Sequence, residues 1–426
     1  MTAADALTEV NPHALSAIVQ ASATRTIVAS QDIYDDQGRK LWARDQAVSV
    51  SLQLRLLERK LSQPLEACLR AADGVTTLQL HEAAMAFLDA PSPLVEVIKP
   101  HATEVLKAVG QLPLHSAVQL LLTTVHATRP EMFAHAVRAM LLAGAISADA
   151  GQQRFDLRMA LLAGLLHDLG EMYLDPAYLD SPQPLDLTGY RHVVSHPLIA
   201  RMLLVRLTDY PPALSEALAE HHERLDGTGY PGRKVAAALA PLGRLAAVVE
   251  AAVGMMGAPH APLTRAALAL RMVPGEFDAA LTSVLVNAAR RASEDLEQAV
   301  ASHDANVVQL QRADGLDRLD AALGVARHLA SGPVARNPAL AEVLERAAHR
   351  LLRMKVAGHT VGLWTLPDGG QTLPERLELA VAIGEMRYRL RGIERDCLWS
   401  SPTLKPAELE ALSPLWQALS TDRDRP

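Results

Sequence analysis

The sequence predicts a mostly α protein, and three observations carry that expectation. Aromatic residues make up only 4% of the chain while Ala and Leu abound, a composition suited to helices packed through small and branched aliphatic side chains. From about residue 112 onward, apolar segments are separated by Pro and Gly, the usual punctuation of helix ends. The β signal is confined to the N-terminus, where Thr26-Ile27-Val28-Ala29 and Lys40-Leu41-Trp42-Ala43 flank the polar stretch Asp35-Asp36-Gln37-Gly38. Such a strand-turn-strand pattern has a glycine available for positive φ.

Further elements follow in order. Ser49 or Ser51 can cap a helix through Leu52, Leu54, Leu56 and Leu57, and Pro64, Pro91, Pro93 and Pro100 punctuate short helical pieces. Residues 1–110 therefore read as a small α+β module with a regulatory or interaction role. Residues 111–311 read as apolar helices whose polar exceptions are histidines and acids. Past Ser331-Gly332-Pro333, helices through Leu340, Leu344, Leu351 and Leu352, a Gly/Pro-rich turn at 367–370 and a helix toward Tyr388 make residues 312–426 a helical C-terminal extension. Its Leu-rich helices read as core or homodimer packing, with Trp364 and Trp399 packed inside and a disordered tail at 422–426.

Composition also excludes function classes. With 41 Lys+Arg against 48 Asp+Glu the net charge is −7, which argues against DNA binding and against a polybasic membrane binder. Cys68 and Cys397 stand far apart in no ligand spacing, so neither a disulfide framework nor a cysteine zinc site is expected. The N-terminus lacks a cationic start and an apolar core, and no segment reaches about 20 uninterrupted apolar residues. A cytoplasmic protein without a membrane span is the expectation.

The chemistry lies in the histidines. An apolar helix through Met159 and Leu166 delivers His167-Asp168 at its end, where imidazole supplies one metal ligand and the adjacent carboxylate can bridge two cations. Glu131 and His135 stand at i, i+4, a spacing that lets both address one centre. His196 precedes Pro197, His221-His222 follow an Ala/Leu helix, and the apolar helix Arg244-Leu-Ala-Ala-Val-Val249 presents Glu250. A carboxylate inside an apolar helix needs a partner, and a cation is one. His192, His260 and His359 read as ordinary surface or hydrogen-bonded imidazoles, and Glu223 as either an orienter of an imidazole or a solvated charge.

From about residue 115 to 310 this ordered set resembles the HD-GYP family of metal-dependent phosphodiesterases, which open cyclic di-GMP. Glu131 and His135 match the family's first-helix pair, His167 and Asp168 its HD pair, His196 its lone histidine, His221 and His222 its paired histidines, and Gly229, Tyr230 and Pro231 its GYP signature. The resemblance implies a helical bundle of at least five core helices around two or three divalent metal ions, usually iron or manganese. Asp168 would then be the bridging carboxylate, the five histidines terminal ligands, and Glu131 and Glu250 the remaining oxygen ligands, with Asp168 and His167 at the reacting centre. A pair of bridged cations holds a phosphodiester and lowers the pKa of water. The hairpin from Asp32-Ile33-Tyr34-Asp35 to Gly38-Arg39-Lys40-Leu41 is similar to an N-terminal module found ahead of such domains, which implies protein partners for residues 1–110.

Three departures stand out. The family's HDIGK reads HDLGE here, with Glu171 in place of a phosphate-neutralising lysine; its last Asp ligand is Glu250, and the following Asp is Val253. The RPYR segment falls on Pro259-His260-Ala261-Pro262 and is absent, so Arg265 or the pair Arg233-Lys234 would have to substitute. Substrate contact is therefore expected from Tyr230, Gly229, Arg233 and Lys234. Three readings follow: hydrolysis of cyclic di-GMP to the linear dinucleotide or GMP, a weak or inactive cyclic di-GMP effector or scaffold, and an HD phosphohydrolase acting on another phosphoester.

Overall fold

In the computed structural model the described residues are 10–56, 59–151, 154–179, 185–292, 294, 296–301, 305–360, 372–399, 401 and 404–420. Leu57, Trp364, the turn at 367–370 and the tail at 422–426 lie outside them. The chain is mostly helix, with four short strands in two antiparallel pairs among the described residues. No described helix is long and apolar enough to cross a membrane. Internal contacts divide the chain into two units, one of residues 1–185, 192–254 and 277–288, the other of 186–191, 255–276 and 289–426.

The first unit begins with helix Pro12–Ala21, whose N-cap Asn11 accepts hydrogen bonds from the His13 and Ala14 amides through Oδ1. The strand pairing differs from the wider of the two arrangements the sequence suggests. Strand β1 (Ile27–Ala29) does not pair with Lys40–Trp42; β2 (Ile33–Tyr34) takes β3 (Lys40–Trp42), and β1 takes β4 (Leu69–Ala71). Asp35 explains the choice. Its carboxylate accepts the Gln37 and Arg39 amides at 3.0 and 2.8 Å, and its own amide donates to Arg39 O, with Gly38 at φ 77°. That closes a tight turn and returns β3 onto its immediate predecessor. The module's core of Leu15, Ile18, Ile27, Ile33 and Leu69 includes Leu120, which belongs to helix Ser116–Thr128.

Six helices then build the bundle: Ser116–Thr128, Pro130–Ala150, Leu157–Leu166, His196–Leu207, Pro212–Glu220 and Pro241–Met255. Pro130 and Pro197 occupy first-turn positions, where a missing N–H is harmless. Helix Leu157–Leu166 opens on Asp156, which caps Arg158 N and Met159 N, and from Ala160 to Leu166 every residue is buried. Each buried Leu there contributes roughly 1.5–3 kcal/mol. Its crossing with Pro130–Ala150 is close because Gly164 lies on the backbone: a Cβ there would sit 2.5 Å from Ala139 O and 2.8 Å from Met140 Cα. One turn from this contact on each helix stand His135 and His167.

The second unit packs helices Pro262–Met272, Ala305–Ala330, Pro338–Thr360 and Leu373–Leu398 around Leu319, Leu344, Leu351, Ile383 and Leu390. Its buried charges are paired: Arg389 Nη1 lies 2.8 Å from both oxygens of Glu276, and Arg350 Nη2 2.7 Å from Asp396, which also accepts the Tyr190 hydroxyl. Unpaired, a buried charge of this kind costs several kcal/mol.

Candidate metal centre

His167, His196 and His221 are fixed by one repeated device. The last turn of a helix leaves its carbonyls without intrahelical partners. In each case a carbonyl three residues back accepts the imidazole Nδ1–H: Gly164 O for His167 at 2.8 Å, Val193 O for His196 at 2.8 Å, and Leu218 O for His221 at 2.7 Å. Since a carbonyl only accepts, Nδ1 carries a proton, and Nε2 of all three rings is the atom turned to the interior, where a cation or a second proton would bind.

Those nitrogens meet Asp168 from two sides. Oδ1 lies 3.4 Å from both His196 Nε2 and His221 Nε2, while Oδ2 lies 3.0 Å from His167 Nε2 and 3.4 Å from His135 Nε2. Glu250 closes the second side, with Oε2 at 3.0 Å from His167 Nε2 and 3.4 Å from His135 Nε2. The result is two groups of ligand atoms, Asp168-His196-His221-His222 and His135-His167-Asp168-Glu250, each within 4.8 Å and sharing Asp168.

This donor set fits divalent metal ions. His196 Nε2 and His221 Nε2 stand 3.0 Å apart, both from rings already protonated at Nδ1. Two lone pairs at that distance repel unless a proton or a cation stands between them. Burial pushes the carboxyls of Asp168 and Glu250 up, yet the surrounding imidazoles more than offset it and hold both well below the usual carboxylate range. Burial and neighbouring histidines hold His222 well below the ordinary imidazole range. Burial lowers His167 and His196, but the carboxylates beside them more than offset it and raise both, His167 well above the ordinary imidazole range. Ionised carboxylates are ready for a cation, which would take the place of a proton on these two rings.

Glu131 is not brought into either group. It lies solvent-exposed in the first turn of Pro130–Ala150, one turn before His135. His222 is oriented by a ring, since Tyr230 stacks on it with centroids 4.5 Å apart and planes 18° from parallel. Glu223 does not orient an imidazole. Its buried carboxylate accepts the amides of Gly232 at 2.5 Å and Lys234 at 3.0 Å, pinning the loop that carries Tyr230. Gly229 passes so close to the backbone of Glu223 and Arg224 that a Cβ would overlap it. Arg233 takes a positive φ of 54°, and Lys234 Nζ is held 2.7 Å from Oε1 of Glu220 at the end of helix Pro212–Glu220, which balances its charge.

Two features escape a sequence reading. Glu220, fully buried, also accepts the Ala240 amide at 3.1 Å and so closes the segment between the paired histidines and helix Pro241–Met255. Its only signal is an acid next to His221. Glu171 is raised to about 7, first by burial and then by the charge of Asp168.

Residues 119–271 match the HD domain family. This stretch is an HD domain. It contains both ligand groups, and the fold around them is the helical one of such domains. The chain is 32% identical over 129 residues, 29% of its length and 28% of the relative's, to the 3′3′-cGAMP-specific phosphodiesterase 3 of Vibrio cholerae. It is 34% identical over 94 residues, 22% of its length and 23% of the relative's, to a cyclic di-GMP phosphodiesterase of Pseudomonas aeruginosa. The HD domain and its surroundings thus span less than a third of the length of these curated relatives. No solved structure matches significantly.

Proposed function

We propose that the protein is an HD-GYP-type phosphodiesterase that hydrolyses a cyclic dinucleotide, with cyclic di-GMP the favoured substrate. One observation carries the reading: the two oxygens of Asp168 each face a separate set of histidine nitrogens, the arrangement of a bridging carboxylate between two cations. The two similar phosphodiesterases act on cyclic dinucleotides by name, which supports the substrate class. Two or three iron or manganese ions suit these imidazole and carboxylate donors.

In this reading His135, His167 and Glu250 hold one ion and His196, His221 and His222 the other, with Asp168 shared and Glu131 available to a third from its exposed position. When bound, the ions supply charge for the phosphodiester and acidify water. The chain's own work is to fix the imidazole tautomers through Gly164, Val193 and Leu218, to seat Tyr230 over His222, and to place Gly229, Arg233 and Lys234 at the rim toward substrate. Residues 1–110 serve protein partners, 111–311 the chemistry, and 312–426 packing or homodimer formation, in the cytoplasm where such messengers act.

A second reading has its own support. Glu171 puts a carboxyl beside Asp168 where the family carries lysine, and Lys234 is already balanced by Glu220. That weakens phosphate attraction and favours a cyclic dinucleotide effector with little turnover. One experiment separates the two. Protein purified without chelator is analysed for iron and manganese, then incubated with cyclic di-GMP or 3′3′-cGAMP and Mn²⁺, beside Asp168→Ala. Linear dinucleotide or GMP, lost in the variant, supports the enzyme; bound metal without product from either substrate overturns it in favour of the effector.

A further inference from the structure

The turn Leu169–Tyr173 follows directly on Asp168, and what holds its far end comes from the N-terminal module. Tyr173, 2% exposed, is gripped twice. Its hydroxyl donates to Glu66 Oε1 at 2.5 Å, and its carbonyl accepts from Asn11 Nδ2 at 3.0 Å. Both partners are buried as well, at 6% and 7% exposure, and they lie 107 and 162 residues away in sequence.

The near end of the same turn touches the metal ligands. Asp168 O accepts the Glu171 amide at 2.9 Å, and Gly170 rests on the carbonyl of His196 so tightly that any Cβ would overlap it. A shift of Tyr173 would therefore move Asp168 and His196 together, one the shared carboxylate and the other a ligand of a single group. Hydrogen bonds made directly to metal ligands are typically worth about 10–100-fold in metal affinity, and a hold on the turn that carries one ligand and supports another acts in the same direction with a smaller effect.

We propose that Asn11 and Glu66 of the N-terminal module are positioning residues of the metal centre, acting through Tyr173 and the turn 169–173 to set Asp168 against His196. The module is then a supporting wall of the site in addition to any role with partners. This inference rests on the metal-centre reading above and assigns to that site residues that no histidine motif includes.

Asn11 allows a clean test because its two side-chain atoms have separate duties. Oδ1 caps helix Pro12–Ala21 and Nδ2 holds Tyr173. Asn11→Asp keeps a good N-cap and removes the donor. Mn²⁺ is titrated into the full-length, metal-stripped protein by calorimetry, with the electron paramagnetic resonance spectrum of bound Mn²⁺ recorded alongside thermal melting. Asn11→Asp and Tyr173→Phe are expected to weaken Mn²⁺ binding several-fold and to alter the spectrum, while Glu66→Gln, which keeps an acceptor for Tyr173, binds Mn²⁺ as wild type does. Wild-type Mn²⁺ affinity and spectrum in Asn11→Asp, whatever its melting temperature, would overturn the inference and leave the metal reading intact. A wild-type protein that binds no Mn²⁺ would overturn both. Should Tyr173→Phe fail to fold, the Asn11→Asp result decides alone.

Discussion

Tyr230 lies nearly flat on His222, ring centroids 4.5 Å apart and planes at 18°, on a loop pinned by the carboxylate of Glu223. The tyrosine thus takes the place that a helix-end carbonyl takes for His167, His196 and His221. Replacing Tyr230 by Phe preserves the stacked face and is expected to leave metal content unchanged. Tyr230→Ala frees the ring of His222 and should lower affinity at that group by about tenfold. Metal analysis after dialysis against graded chelator checks this.

Glu223 has a different expected signature. Its two oxygens accept two backbone amides, so Glu223→Ala leaves buried donors unsatisfied at about 1–3 kcal/mol each. Melting temperature should fall, and limited proteolysis should open the chain between 227 and 234 first. Cleavage between 227 and 234 at the wild-type rate would disprove the pinning role.

Burial, and then the charge of Asp168, push the Glu171 carboxyl up to about 7, and its ionised form repels a phosphate. A unit charge several ångström from a phosphate at an effective dielectric near 20 is worth about 2 kcal/mol. Cyclic di-GMP binding by the wild type should therefore weaken as pH rises from about 6 to about 8, and Glu171→Gln should bind more tightly at the upper end with a flat profile. Calorimetry at three pH values suffices.

Glu66 makes stability itself depend on pH. Burial raises its carboxyl above the ordinary 4.5, against the lowering effect of the Tyr173 hydroxyl. The folded protein therefore holds that proton more tightly than the unfolded chain does. Its contribution is fully present below about 4.5 and is lost as pH rises through the raised folded value. Denaturant melts of Glu66→Gln should lack this decline, and parallel slopes for both proteins would refute the assignment.

Metal removal should destabilise the bundle. Ions that bind only the folded state add about 2.7 kcal/mol at a hundredfold excess over Kd, and stripping them leaves the facing nitrogens of His196 and His221 in opposition. Added Mn²⁺ should raise the melting temperature of wild type by several degrees and that of Asp168→Ala by far less.

Much of the candidate centre was legible in sequence because most of its residues stand at helix ends, where an apolar run stops and a His or Asp begins, while His135 and Glu250 lie within helices. The pairs His167-Asp168 and His221-His222 show this, and Glu250 announced itself as an acid in an apolar helix. Glu131 shows the limit of spacing: two residues at i, i+4 share a helix face, but only His135 stands where neighbouring helices reach. The duty of Glu223 was hidden because its partners are backbone amides on a returning loop, which leave no mark in residue type. The pairing of β1 with β4 was equally hidden, as some 40 residues separate them and three-residue strands carry little pattern.

Gly164, the residue without a side chain at the crossing of Pro130–Ala150 and Leu157–Leu166, lies one turn from His167 and faces Ala139, one turn from His135. A methyl group at 164 would wedge the helices apart and widen the gap between His135 and His167, now 3.1 Å at Nε2. The smallest kind of residue thereby sets how closely two imidazoles on neighbouring helices can approach, from a position that carries no side chain of its own.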